Sequence, residues 1–276
     1  MGKKTWIITG TSQGFGKELV KQLLEKGDQV VATTRNPKAL DDLNADPNQI
    51  LIASLNIKDR NACFALVQES IEKFGKIDVL INNIGYGLVG SIEEVSEEEW
   101  REQFEVNVFG TLHMTQAVLP HFREQGSGYI QVLSSIAGLR STPGIGYYNG
   151  SKFALEGMFE ALSQELSSFN IGVTIIEPGP FRTNFAGDSI HLTQNPLEDY
   201  VPVVLPFRDY LKKANGNQAG DPVKAAKIMI DLADNEHKPK RLVLGKMAYQ
   251  AYKSKLQEEM DRLEKWKDLS DSADFS

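Results

Sequence analysis

Trp6-Ile-Ile-Thr9-Gly10-Thr-Ser12-Gln13-Gly14-Phe15-Gly16 decides how this chain folds. Trp6 to Thr9 is a short apolar run of the kind that fills a buried strand. Three glycines follow, spaced G-x-x-x-G-x-G. Then Leu19, Val20, Leu23 and Leu24 recur at helical spacing within Lys17–Glu25. Strand, glycine turn and helix in that order aim the N–H groups of a helix N-terminus at the turn, where a dinucleotide pyrophosphate can sit. Glycines let the backbone approach it and take positive φ. Gly10, Ser12, Gln13, Gly14, Phe15 and Gly16 are therefore candidate cofactor contacts. Taken alone, the same turn also suits an ordinary strand-to-helix connection.

Working outward, the chain keeps the rhythm that this unit begins. Strands are expected at Gln29–Thr34, Leu51–Leu55, Val79–Asn82, Tyr129–Leu133, Val173–Ile176 and Arg241–Leu244. Helices are expected between them. Ala62–Phe74 is one, and a stretch opened by a Ser96/Glu99 capping box and stopped near Gln125 by Gly126 is another. Tyr147–Phe169 reads as one long helix. Asp221-Pro222 reads as an N-cap with proline in the first turn, and Tyr249–Trp266 as a charged terminal helix with a frayed tail from Ser270. Such alternation predicts one α/β domain over residues 1–276, a doubly wound parallel sheet of about seven strands with helices on both faces. Residues 184–220 break the rhythm. They are long, proline-dotted and partly apolar, which is how a lid over a binding site reads. Residues 246–276 form a C-terminal helical extension.

The 276 residues carry a formal net charge of −7, which argues against a nucleic-acid partner. Lys238, Lys240 and Arg241 cluster, and read as a solvated turn before a strand. The single Cys63 rules out an intrachain disulfide and fits a reduced, cytoplasmic setting. The four histidines lack metal-ligand spacing, so no metal is expected. No run is long and apolar enough for a membrane span.

Tyr148 and Lys152 stand four apart in the long helix and so share a face. A free tyrosine titrates near 10. An ammonium about 4 Å away, at an effective dielectric near 20, contributes roughly 4 kcal/mol. That is enough to bring the phenol toward working pH, which makes Tyr148 a candidate acid/base. Tyr147 has only Ser151 four residues on, which offers no charge.

With these residues in view, Lys4 to Thr183 resembles the short-chain dehydrogenase/reductase family. Thr9–Gly16 is similar to its cofactor turn, and Asn82-Asn83-Ile84-Gly85 to its segment after the fourth strand. Asn107 matches its helix asparagine. Ser135 precedes Tyr148 by the family's usual 13 residues, and Pro178-Gly179-Pro-Phe181-Arg-Thr183 matches its run at the nicotinamide end. Arg35-Asn36-Pro37 and Glu177–Thr183 look most like the 17β-hydroxysteroid and retinol dehydrogenase branch.

The resemblance implies a Rossmann-type fold and a tetrad of Asn107, Ser135, Tyr148 and Lys152. Tyr148 would exchange a proton with an alcohol or carbonyl oxygen, and Ser135 would hydrogen-bond that oxygen. Lys152 would lower the tyrosine pKa and hold the nicotinamide ribose. Asn107 would hold a water joining Lys152 to solvent. Asn56, Ile57, Asn83, Gly85, Pro178, Gly179, Phe181 and Thr183 would complete the cofactor site. Phe15 and Phe181 suit core as well as contact, and Thr183 suits a cap as well as a carboxamide.

The second strand ends in Thr33-Thr34-Arg35 without the acidic residue that accepts from an NAD ribose. Arg35 can instead pair with a 2′-phosphate, which favours NADP(H) over NAD(H). Gln13 and Asn56 depart from the family pattern. The expected function is an NADP(H)-dependent oxidoreductase acting on a small, hydrophobic alcohol or carbonyl substrate. Alternatives are an epimerase or dehydratase, or a regulatory protein that binds the cofactor without turnover. Apolar residues on more than one side of the two long helices (Val106, Phe109, Leu112, Val118; Phe153, Leu155, Met158, Leu162) predict a homodimer or homotetramer.

Overall fold

The structure, a computed structural model, describes residues 2–275. Its strands are β1 (Thr5–Thr9), β2 (Gln29–Thr34), β3 (Ile50–Ser54), β4 (Val79–Asn82), β5 (Gly87–Val89), β6 (Gly128–Leu133), β7 (Ile171–Pro178), β8 (Ile190–Leu192) and β9 (Arg241–Leu244). Seven of them form one parallel sheet in the order β3-β2-β1-β4-β6-β7-β9. The chain winds outward from β1 to β3, then returns to β4 beside β1 and winds the other way. That reversal opens a crevice at the carboxyl ends of β1 and β4, where an open α/β sheet binds its ligand.

The helices are α1 (Gly14–Lys26), α2 (Arg60–Phe74), α3 (Glu97–Phe104), α4 (Gly110–Gln125), α5 (Gly146–Glu165), α6 (Val201–Ala214), α7 (Pro222–Leu232), α8 (Lys246–Lys265) and α9 (Lys267–Asp271). Alternation along β1 sorts the core. Trp6 and Ile8 pack with Leu19 and Leu23 of α1 and Met229 of α7. Ile7 faces the other way, toward Leu66 of α2, Val118 and Phe122 of α4, and Leu155 and Phe159 of α5. The parallel strands are thus buried on both faces, as their continuous apolar runs require.

The Ser96/Glu99 capping box forms as expected. Asp221 caps α7 by accepting from Val223 and Lys224, with Pro222 behind it. Between α3 and α4 the helix continues through a π-turn, Glu105–Phe109. The long helix α5 stops at Glu165 and passes into a 3-10 turn at Ser167–Phe169, short of the continuous helix expected. After a break at Trp266, the short α9 ends at Asp271, within one residue of where the tail was expected to fray.

Two expectations need correction. Residues 184–220, read as a break in the rhythm, contain regular elements that were not expected: β8, paired in parallel with β5, and the 14-residue α6. Pro202 occupies the first turn of α6, where N–H groups have no intrahelical partner, and Pro206 forgoes a single bond, so the prolines do not prevent a helix. Arg241 is no solvated turn residue. It opens β9 and turns onto Glu156 and Glu177.

On the long helices Val118 and Leu155 are buried, and Val106, Leu112 and Leu162 pack partly against the core. Phe109, Phe153 and Met158 remain 42–44% exposed, so a second apolar face does exist. Among the described residues no helix is long and apolar enough to cross a membrane. None of their His, Cys, Asp or Glu side chains group as a metal site. Cys63 is buried, and burial raises its thiol to about 11.

Candidate active site

The glycine turn closes over β1 because its residues allow a fit that larger ones would not. Gly10 and Gly14 take φ of +70° and +58°. A Cβ on Gly16 would stand 2.2 Å from the Gly10 carbonyl oxygen and 2.7 Å from Asn83 Nδ2. Asn83 ties the turn down: its amide donates to the Thr9 and Gly10 carbonyl oxygens at 3.0 and 2.8 Å, and its N–H to Thr9 Oγ1. Gln13 stands at the N-cap of α1 without capping it, so its side chain leaves the first-turn N–H groups free. That side chain instead donates to Ser189 Oγ at 3.2 Å and accepts from Asn184 Nδ2 at 2.9 Å. Residues 184–220 are thereby fastened to the glycine turn. Thr183 lies against Gly14 and caps the 3-10 turn Asn184–Ala186 by accepting from the Phe185 N–H. Phe15 and Phe181 meet edge to face at 5.1 Å and pack on the core.

The four tetrad residues lie beyond the ends of β4 and β6. Tyr148 and Lys152 share a stripe of α5 and are 7% and 4% exposed. Ser135 follows β6; its Oγ accepts from the Ala137 N–H, leaving its proton free to bond the Tyr148 oxygen. Ser134, its neighbour, faces away toward Glu156. Asn107 occupies the π-turn, a helix feature often found at functional sites. Its amide donates to the Tyr86 carbonyl and to Ser151 Oγ, and its Oδ1 accepts from the Tyr86 N–H. Gly85 lets Lys152 Nζ and Asn107 Oδ1 come together, since a Cβ there would lie 3.3 and 3.4 Å from them.

The electrostatics differ from the expectation of a lysine-lowered phenol. Burial pushes Tyr148 up to about 12, and the Ser135 hydrogen bond opposes this. Lys152 Nζ donates to the Leu133 carbonyl oxygen at 2.8 Å and sits 5.9 Å from the tyrosine ring centroid. Burial lowers Lys152 to about 8, with Glu156 pulling it back up. Desolvation is thus the largest influence on both groups. At neutral pH Tyr148 is a phenol, fit to donate a proton to a developing alkoxide.

Other expected contacts divide. Arg35 is exposed just past β2, free to meet a ligand. Asn56 is exposed, its Oδ1 accepting from the Lys58 N–H. The Ile57 side chain is buried beneath Gly110 in the core, so only its backbone is left for a cofactor. Pro178 ends β7, and Gly179, just after it, packs closely on Ala248 of α8. Sequence spacing gave no role to Ser151, which receives Asn107 and donates to the Tyr148 carbonyl at 2.8 Å. Val89, Ala137, Ile145 and Val204 surround Tyr148 as an apolar wall, with Phe185 5.6 Å from its ring. Of these, Phe185 and Val204 come from residues 184–220; Val89 of β5, Ala137 and Ile145 lie far apart in sequence, and only the fold brings them together.

The family described as short chain dehydrogenase matches residues 4–192. Oxidoreductase BOA17 of Botryotinia fuckeliana is 36% identical over 270 residues, covering 97% of this chain and 98% of that protein. Retinol dehydrogenase 8 of Homo sapiens is 38% identical over 192 residues, 67% of this chain and 61% of that one. The crystal structure of a short-chain dehydrogenase from Streptomyces avermitilis superposes with a TM-score of 0.93 at 36% identity, covering 99% of this chain and 100% of that one.

Proposed function

The chain belongs to the short-chain dehydrogenase family of oxidoreductases, and from that premise we propose that it interconverts an apolar alcohol and its carbonyl compound with NADP(H). The observation that carries this reading is Tyr148, a buried phenol within reach of Ser135 and set in an apolar wall beside Lys152. The residues of the glycine turn fit a dinucleotide: two positive-φ glycines, a Gly16 that tolerates no side chain, and first-turn N–H groups left free by Gln13. Bound there, the cofactor supplies or takes the hydride. Tyr148 gives its proton to the substrate oxygen in reduction and recovers it in oxidation. Ser135 bonds the same oxygen as its charge grows. Lys152 lies beside the phenol and would hold the nicotinamide ribose, and Asn107 would hold a water joining Lys152 to solvent.

Residues 184–220 supply the substrate's apolar surroundings, through Phe185 and Val204, and act as a lid. NADPH consumption against a panel of ketones and aldehydes tests the proposal. Turnover is expected to rise with the apolar size of the carbonyl compound. No turnover with any member, or a strong preference for small polar ones, would overturn it.

Arg35→Asp is expected to weaken NADPH binding by about 1.5–3 kcal/mol, the range of a hydrogen bond to a charged group, while NADH binding suffers less. Fluorescence titration with both nucleotides checks this, and a wild type that prefers NADH would refute the role given to Arg35. The exposed face of Phe109, Phe153 and Met158 we assign to a second copy of the chain. Light scattering at micromolar concentration should give a dimer or tetramer, and a monomer would remove the assignment.

A further inference from the structure

Tyr148, Lys152 and Glu156 follow at four-residue spacing, one stripe of α5. The reaction described above leaves Glu156 without a task, yet it is buried, and Glu177 at the end of β7 is 0% exposed. Both converge on one guanidinium nitrogen. Arg241 Nη1 lies 2.8 Å from Glu156 Oε2 and 3.5 Å from Glu177 Oε1, while Nη2 pairs with the exposed Glu160. Tyr252 of α8 is close enough to feel the charges of Arg241 and the three carboxylates. Ser134 Oγ, Glu156 Oε1 and Glu177 Oε2 are buried without a hydrogen-bond partner, and Glu156 Oε2 has only its ion pair with Arg241. Ser134 Oγ and Glu156 Oε1 meet over Gly138, where a Cβ would stand 2.5 and 3.1 Å from them.

Two buried carboxylates facing one cation cannot both stay ionised cheaply. One proton between them removes a charge and supplies the donor that their orphaned oxygens lack. We propose that Glu156 and Glu177 hold a single proton in common, and that the negative charge remaining on the pair keeps the Lys152 amine protonated. Glu156 is then a positioning residue: it acts on the substrate only through Lys152 and Tyr148. Burial and the neighbouring carboxylate raise Glu177, burial raises Glu156, and Glu156 is the group that opposes the burial-driven fall of Lys152. The groups facing the pair are Lys152 and Glu160 from α5, Ser134 after β6, Arg241 from β9 and Tyr252 from α8.

The inference deepens the proposed chemistry and rests on it for its purpose, but its test does not need turnover. Infrared spectra of the whole protein at neutral pH are expected to show the carbonyl band of a protonated carboxylic acid, and Glu177→Gln should abolish it. NMR of isotopically labelled lysine, with Lys152 assigned through Lys152→Met, follows its titration. Glu156→Gln should lower the midpoint by about one pH unit, as loss of a charge at short range implies. Glu177→Gln, which leaves Glu156 charged, should not lower it. A purely structural pair would leave the midpoint in place in both variants. No acid band in the wild type, or an unmoved Lys152 midpoint in folded Glu156→Gln, would overturn the proposal. The wild-type band requires no variant, so a Glu156→Gln protein that fails to fold still leaves a decisive measurement. A wild type that shows the band but reduces no carbonyl compound would overturn the reaction and not the shared proton.

Discussion

Tyr148→Phe is expected to lower turnover by at least about 10²-fold, the low end for loss of a general acid, with NADPH binding nearly unchanged. The substitution removes only the hydroxyl. The ring keeps its place against Val89, Ala137, Ile145 and Val204, and its contact with Phe185. Tyr147→Phe is the matched control. Its ring stacks on Trp100 at 6.0 Å, and its hydroxyl donates to the Ile92 carbonyl at 3.2 Å on an exposed surface, so its loss should be mild. Steady-state kinetics on any carbonyl compound that wild type reduces would check both. Near-wild-type turnover in Tyr148→Phe would remove the tyrosine from the mechanism.

Gly16→Ala is expected to weaken NADPH binding by tenfold or more and to lower stability by about 1–3 kcal/mol, the usual cost of overpacking. The added methyl would meet a backbone oxygen at 2.2 Å, and a backbone oxygen cannot swing aside as a side-chain end can. Asn83 would be pushed as well, and with it the bonds that shape the turn. Gly157→Ala makes the opposite comparison. It lies within α5 with nothing inside 4 Å of the new Cβ, so it should stabilise by up to about 1 kcal/mol. Thermal melts with and without NADPH would read both. A Gly16→Ala protein as stable and as tight-binding as wild type would mean that the turn can relax in a way its packing does not suggest.

Much of the fold could be read from the sequence because its strands carry their own signature. Continuous apolar runs of four to six residues, broken by glycine or capped helices, placed all seven strands of the main sheet within about two residues at most ends; β7 runs longer than its apolar stretch. Helix α6 was hidden because Pro202 and Pro206 look like breakers, although a first-turn proline costs a helix nothing. The π-turn was invisible for another reason. It inserts without any special residue, and the hydrophobic period simply slips across Glu105–Phe109. In the site, spacing could align Tyr148 with Lys152. It could not show that Lys152 would reach the Leu133 carbonyl, because that carbonyl belongs to a strand 19 residues away. The Glu156–Glu177–Arg241 group was harder still, since three separate elements bring it together.

The hydrogen bonds from Gln13 to Ser189 and from Asn184 to Gln13 join the glycine turn to residues 184–220 directly. If residues 184–220 close over the site as proposed, one side chain belongs to two binding events: whatever a nucleotide does to the position of Gln13 alters the free energy of that closure, and closure returns the same increment to the nucleotide. Thermodynamic reciprocity makes the two factors equal. If closure favours the bound nucleotide, substrate that draws the segment down slows its departure, and release of the spent cofactor waits on reopening. The slow step of the cycle would then lie in a hinge of two amide hydrogen bonds, and the chemistry at Tyr148 would run ahead of it.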